Sequence, residues 1–376
     1  MRDQIIGNLT LREDNELMSL LFHPQEQILL AADVTGCLHF NLFDLDSKIC
    51  SFPEGMAEKP FQPHKKGSCR SIDLLSSEDS KIVTGGSDGR VVISSFDPQI
   101  VSKYKFSNPI NVVQSLTESL ILAGDDEGAL FGIDVREPKN VFTIHEQEDY
   151  ISAICPALPS VSPLKAVIST SGDCTLAVHD LRVIGNKKNK ASLVAMSDPQ
   201  EDELNCCIVL NQEQHVLTGD ANGVVGIWKQ GYWGDLKDRL PLYQRSEGSR
   251  GAMDGSHSID GMKKINEKEY VLVTSDGIIR NVNLFPNEVN RVVGVHQNED
   301  DSQVATISAF DCDLDLGLVA TSAGDSKGRI KFWSLKKTID SDQNPDNEED
   351  TPLPKKGNKI HRSSVKSSNQ SFFSDL

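Results

Sequence analysis

Along the chain, an almost wholly apolar run repeatedly precedes a short turn of Gly, Asp and Ser, and a second, alternating apolar run follows it. The unit occurs seven times: 28–44 (ILLAADVTGCLHFNLFD), 81–97 (KIVTGGSDGRVVISSFD), 120–136 (LILAGDDEGALFGIDVR), 166–182 (AVISTSGDCTLAVHDLR), 216–229 (VLTGDANGVVGIWK), 271–284 (VLVTSDGIIRNVNL) and 318–335 (LVATSAGDSKGRIKFWSL). A continuous apolar run of this length suits a strand packed on both faces. Each unit therefore reads as two strands joined by a hairpin. Aligned on the turn, the copies place Gly36, Gly89, Gly128, Cys174, Gly223, Gly277 and Gly328 at one position. A tight hairpin demands positive φ there, which glycine adopts without steric cost.

A weaker run precedes each pair, at 19–24, 69–75, 110–116, 150–156, 204–210, 258–264 and 305–311. A fourth follows some of them, most clearly at 139–145 and 290–296. Four short strands recurring about every 49 residues come close to the roughly 40–45 of a propeller blade, with the excess in loops. The spacing predicts an all-β chain, a seven-bladed β-propeller whose weaker runs line a central channel. Sandwiches and closed barrels do not give seven evenly spaced copies. The stretch from Ile5-Ile6 to Leu9-Thr10-Leu11 is expected to complete the last blade and remove two open strand edges. The propeller spans 1–337. Residues 338–376, acidic and then basic, lack a core and are expected to be a disordered tail. The segments 46–63, 184–203 and 232–257 read as loops on the rims.

Copies close on Phe43-Asp44, Phe96-Asp97, Ile133-Asp134, His179-Asp180, Trp228-Lys229, Val282-Asn283 and Trp333-Ser334. His64, His145 and His296 stand upstream of three copies, and Asp88, Asp173 and Asp276 sit in hairpin turns. At these residues the chain resembles the WD-repeat propellers. In that family such His, Ser/Thr, Asp and Trp side chains hydrogen-bond across the blade. No copy has the whole set. Phe22-His23-Pro24 with Leu29 to Ala32, Tyr150-Ile151-Ser152 with Ser171-Gly172-Asp173, and Ser258-Ile259-Asp260 with Ser275 to Arg280 and Val282 to Asn287 are more particular. With Ser371-Phe372-Phe373 they are similar to the WD repeat-containing protein 55 family, called Jip5 in fungi. The resemblance implies a non-catalytic scaffold in the nucleus and nucleolus, and also the cytoplasm. It would act in ribosomal RNA synthesis and processing and in ribosome biogenesis, with ribosome-assembly factors as partners. The tail is shorter and less basic than the family's.

Composition narrows the alternatives. At 38% hydrophobic and 25% charged residues, the chain supports a folded core. No run approaches the roughly 18 apolar residues of a membrane span, and the N-terminal stretch has no secretory h-region, so no membrane association is expected. The net charge of −17 opposes nucleic-acid binding by the surface as a whole. A weak RNA contact is left to the basic part of the tail and the lysines at 187–190. Eight cysteines without a CxxC pair point to reduced thiols rather than zinc.

Gly85-Gly86-Ser87-Asp88-Gly89 matches the hydrolase elbow in letters, but Arg90-Val91-Val92-Ile93 reads as a strand where that elbow needs a helix. Asp311-Cys312-Asp313-Leu314-Asp315 fails as a calcium loop because Ser322 stands at the twelfth position. A monomer with no catalytic residues, no cofactor and no metal is expected. Asp134-Val135-Arg136 and Asp180-Leu181-Arg182 are similar to the Trp-Asp-x-Arg box of cullin-4 ubiquitin-ligase substrate receptors. That similarity implies a second function, docking to the DDB adaptor through Asp134, Arg136, Asp180 and Arg182. The local alternative is that each arginine pairs with an acidic neighbour. Phe372 and Phe373 are further candidates for partner binding.

Overall fold

The computed structural model describes residues 5–10, 15–44, 49–51, 61–75, 80–158, 160, 162–183, 193–243, 257–297, 305–324 and 328–335. The chain divides between Lys336 and Lys337 into two units, and every described residue belongs to the first. That unit is a seven-bladed β-propeller. Among the described residues there are seven antiparallel four-stranded sheets and one single-turn 3-10 helix, Leu181–Val183.

The inner strands are Leu17–Phe22, Cys69–Leu75, Ile110–Ser115, Ile151–Pro156, Leu204–Leu210, Ile259–Lys264 and Ile307–Asp313. In blades 1 to 6 the chain runs outward through four consecutive strands. In blade 7 the outermost place is taken by Ile5–Thr10, which pairs with Arg329–Ser334 in the register Leu9↔Ile330 and Asn8↔Lys331. The expected closure by the N-terminal stretch is therefore present.

The hairpin turns form because of two requirements. All seven aligned positions hold a left-handed backbone, from Gly328 at φ 55 to Gly36 and Gly128 at φ 83, and Cys174 meets it at φ 68. The preceding carboxylate then caps the turn. In blades 1, 3 and 5 it belongs to Asp33, Asp125 and Asp220, whose Oδ1 accepts backbone N–H groups across the turn, as from Cys37, Ala129 and Val224 at 2.8 Å each. In blades 2, 4 and 6 it lies later, at Asp88, Asp173 and Asp276, and bonds side chains of its own blade.

The core is a ring of seams rather than a centre. Seven hydrophobic clusters occur among the described residues, one at each junction between neighbouring blades. The seam closing the ring joins Leu20, Phe22, Leu29 and Phe43 of blade 1 to Leu318, Ile330 and Phe332 of blade 7. Each fully buried Leu, Ile or Phe contributes roughly 1.5–3 kcal/mol. Gly124 lets blades approach closely, since a Cβ there would lie 2.6 Å from Ile151 Cβ of the next blade.

Three segments differ from the expected rim loops. Ile49–Ser51, Leu193–Met196 and Asp238–Pro241 lie within 46–63, 184–203 and 232–257 and are the outer strands of blades 1, 4 and 5. An outer strand pairs on one edge only and is half solvated, so Asp238-Arg239 at its start carries no apolar signal.

Candidate interaction sites at the two channel mouths

The first residue of every inner strand is buried: Leu17, Cys69, Ile110, Ile151, Leu204, Ile259 and Ile307. In every blade the register against the second strand then skips one residue. The skipped residues are Met18, Arg70, Asn111, Ser152, Asn205, Asp260 and Ser308. Each is a β-bulge, which re-aims its side chain and frees it from the ladder. Six of the seven are polar. Five of the seven, Met18, Arg70, Asn111, Ser152 and Asp260, line a cavity of about 640 Å³ at the upper mouth of the channel, together with Asp126 and Tyr150.

The ring is asymmetric. On blades 3, 4 and 5 the bulge side chains clasp the next blade: Asn111 Nδ2 donates to Ile151 O at 2.8 Å, Ser152 Oγ to Leu204 O, and Asn205 Nδ2 to Ile259 O at 3.3 Å. Arg70 instead reaches the blade 3 turn, its Nη1 lying 2.8 and 2.9 Å from the Asp126 carboxylate oxygens. Tyr150 donates to Glu203 Oε2 at 3.0 Å, and burial followed by that carboxylate pushes its hydroxyl up to about 12. Asp260 is exposed and lines the cavity. Desolvation there and the charge of Asp276, only partly offset by its bond from Ser258, push it up to about 6. The sequence reading missed this ring. Its signal was a polar residue in second place in six inner strands.

At the lower mouth a cavity of about 890 Å³ is lined by Cys155, Cys207, Lys263, Asp311 and Cys312 among others. Lys263 Nζ meets Asp311 Oδ1 at 2.8 Å, and Asp311 Oδ2 accepts the Phe22 N–H at 2.8 Å, so one carboxylate links blades 6, 7 and 1. Asp311 is thus a structural ion-pair partner within a strand rather than part of a calcium loop. On the other side Asp73 Oδ2 accepts from Ser115 N at 2.5 Å and Gln114 Nε2 at 3.1 Å, while burial raises its pKa.

The lower rim also carries the two Asp-x-Arg boxes, each after the third strand of its blade. Arg136 Nε and Nη2 lie 2.8 and 2.5 Å from the Asp134 carboxylate oxygens, and Arg182 Nε and Nη2 lie 2.9 and 2.6 Å from those of Asp180. Both arginines are exposed, at 73% and 51%. Their hydrogen bonds hold both aspartates below the ordinary carboxylate range. The structure thus brings each Asp and Arg together as a local fork, repeated on neighbouring blades 3 and 4. Phe372 and Phe373, the lysines at 187–190 and the basic part of the tail lie outside the described residues.

The apparent nucleophile is part of a turn. Ser87 Oγ accepts the Ser68 N–H at 2.7 Å, and the next element, Arg90–Ser94, is a strand. The nearby His64 is engaged by Asp88 and Thr84, each at 2.9 Å.

Inside the blades, Thr84, Ser169, Thr218 and Thr321 occupy one position, two residues before the partner of the inner strand's first residue. In blade 7, Thr321 Oγ1 accepts from Trp333 Nε1 at 2.8 Å and bonds His296 Nδ1 at 3.0 Å. In blade 5, Trp228 Nε1 donates to Thr218 at 3.0 Å. In blade 4 the histidine's place is held by Gln147, whose Oε1 accepts from Ser169 at 2.6 Å. His145, expected in that role, is exposed and bonds Glu127 O at 2.8 Å instead.

The closed ring of seven sheets makes the protein a seven-bladed β-propeller, and its cross-blade networks are similar to those of WD-repeat propellers. No protein-family model matches the chain. It is 25% identical to the protein named WD repeat-containing protein 55 in Arabidopsis thaliana, over 85% of this chain and 80% of that one. The protein of the same name in Rattus norvegicus is 28% identical, over 84% of this chain and 73% of its own. The WD repeat-containing protein JIP5 of Cryptococcus neoformans is 25% identical, over 73% and 70%. The chain is thus similar, over most of its length, to the WD repeat-containing protein 55 and JIP5 proteins. Propellers of this class generally serve as non-catalytic scaffolds for protein–protein interaction.

Proposed function

We propose that the protein is a nucleolar scaffold that gathers ribosome-assembly factors during ribosomal RNA synthesis and processing. The observation that carries this reading is the similarity to the WD repeat-containing protein 55 and JIP5 proteins across most of the chain, on a closed propeller. The upper mouth supports a binding role, because it presents Arg70, Asp126 and Asp260 around a cavity rather than a catalytic constellation. Affinity purification at moderate salt from nuclear extract tests it. Pre-ribosomal proteins should co-purify, and depletion should lead to accumulation of unprocessed pre-rRNA. Normal processing in depleted cells would overturn the reading.

A second reading rests on one specific observation, the identical exposed Asp–Arg forks on adjacent blades. Arginine's planar fork suits bidentate contact with carboxylate or carbonyl oxygens. Under this reading the protein docks on a ubiquitin-ligase adaptor as a substrate receptor. Arg136→Ala with Arg182→Ala should leave the fold intact, because exposed substitutions usually shift stability by no more than about 0.5 kcal/mol. Adaptor binding should fall at least roughly tenfold per site, since charge-assisted bonds contribute about 1.5–3 kcal/mol. Unchanged adaptor binding by the folded double variant sinks the docking reading, whereas a loss of binding with normal pre-rRNA processing favours it over the first.

A further inference from the structure

The lower mouth holds two thiols from neighbouring blades. Cys155 lies on the inner strand Ile151–Pro156 of blade 4, and Cys207 on the inner strand Leu204–Leu210 of blade 5. Both are half-buried, both line the cavity of about 890 Å³, and both pack against the seam cluster that joins these blades. Both side chains turn into the seam between blades 4 and 5, where the neighbouring Cys155 sulfur and burial push the Cys207 thiol up. Strand alternation sends the adjacent Cys206 the other way, into the seam with blade 6 beside Ile259. Cys312 opens on the same cavity from blade 7, two blades beyond Cys207. Among the described cysteines, the blade 4–5 pair alone faces one seam from both sides while lining the cavity.

We propose that Cys155 and Cys207 form a redox-responsive modification site, oxidised by small hydroperoxides to a disulfide that staples blade 4 to blade 5 inside the channel. The chemistry balances in two steps. The Cys155 thiol attacks the O–O bond of hydrogen peroxide, taking one oxygen as the sulfenic acid and releasing one water. The Cys207 thiol then condenses with that sulfenic acid, forming the S–S bond and releasing a second water. Two thiols are oxidised and one peroxide is reduced. With its thiol pushed up by the Cys155 sulfur and by burial, Cys207 takes the second, resolving step, and Cys155 makes the first attack. A cavity of this size admits peroxide, which is little larger than a water of about 30 Å³.

The test uses the full chain, reduced, desalted and exposed to graded hydrogen peroxide, then alkylated without unfolding and mapped by mass spectrometry under non-reducing conditions. The expected product joins the Cys155 and Cys207 peptides, two hydrogens lighter than their sum, and dithiothreitol reverses it. Its formation should raise the melting temperature of the oxidised protein. In Cys207→Ser the reaction should stop at a Cys155 sulfenic acid that dimedone traps. In Cys155→Ser, Cys207 should stay unmodified at the same peroxide dose. Recovery of both residues as alkylated thiols from folded, peroxide-treated wild-type protein overturns the proposal, as does a disulfide to Cys206 or Cys312 in place of this pair. The wild-type measurement decides the matter even where a serine variant folds poorly.

Discussion

At the scale of single residues, one backbone requirement leaves the clearest trace in the sequence. The seven hairpin turns need positive φ, and six of them use glycine. Gly277, at φ 70, illustrates the requirement. A β-branched residue there is strongly disfavoured, so Gly277→Val should cost about 1–3 kcal/mol. An unchanged urea midpoint would refute it. Cys174 supplies the converse, because it holds φ 68 with a side chain. Cys174→Gly should stabilise the protein by up to about 1 kcal/mol through relief of left-handed strain, and a lowered midpoint would count against this account. Asp260 gives a prediction with a pH signature. Its folded value of about 6 lies above the ordinary 3.8, so the folded state takes up a proton as pH falls through 6. Its charge therefore opposes folding above pH 6, and the opposition fades between 6 and about 4. Asp260→Asn should stabilise the protein above pH 6 by less than about 1 kcal/mol, since solvent screens an exposed carboxylate. The gain should disappear below pH 4; a gain of equal size at pH 4 and pH 8 would contradict the assignment.

At the scale of elements, legibility followed packing. Second and third strands such as Ile28–Asp33 and Val224–Lys229 are buried on both faces, so their apolar runs announce them. Outer strands announce themselves poorly: Val194 and Asp238 are exposed, and the strands around them read as loops. The bulge at the second residue of each inner strand leaves only a polar letter there in six of the seven, because the one-residue skip itself appears only once two strands are paired. The histidine pattern misled by two residues in blade 4, where Gln147 can both accept from Ser169 and donate to Thr175, as a buried link requires. The closing strand was legible because Ile5-Ile6 and Leu9 form an apolar segment with no other blade to join. Deleting residues 1–13 removes the pairing with Arg329–Ser334 and opens the seam between blades 7 and 1. The melting temperature should fall for the whole propeller in a single transition. An unchanged temperature would show that the strand does not close the ring.

At the scale of the molecule, the blades share an acid sensitivity. His179 and His296 are buried neutral, with values of about 4 and about 3 against the ordinary 6.5, burial being the leading cause in each. The unfolded chain takes up protons from pH 6.5 downward, whereas the folded chain resists until pH 4 or below. Stability is therefore fully present above pH 6.5 and lost as pH falls toward 4, on the order of 3 kcal/mol for each histidine. This outweighs the opposite and smaller effect of Asp260. His296→Gln copies the arrangement that Gln147 provides in blade 4 and should flatten the acid limb. An equally steep limb in that variant would assign the acid sensitivity elsewhere.

The strand that closes the ring also imposes an order in time. Ile5–Thr10 leaves the ribosome about 320 residues ahead of its partner Arg329–Ser334. At roughly 5–20 residues per second, the wait is about 16–64 s. Through that interval six blades can stack while an unpaired strand and the exposed edge of a growing arc remain open to other chains. Newly made protein should accordingly depend on a companion that shields strand edges until synthesis reaches the seventh blade, and a chain stalled short of Arg329 should be the form that aggregates.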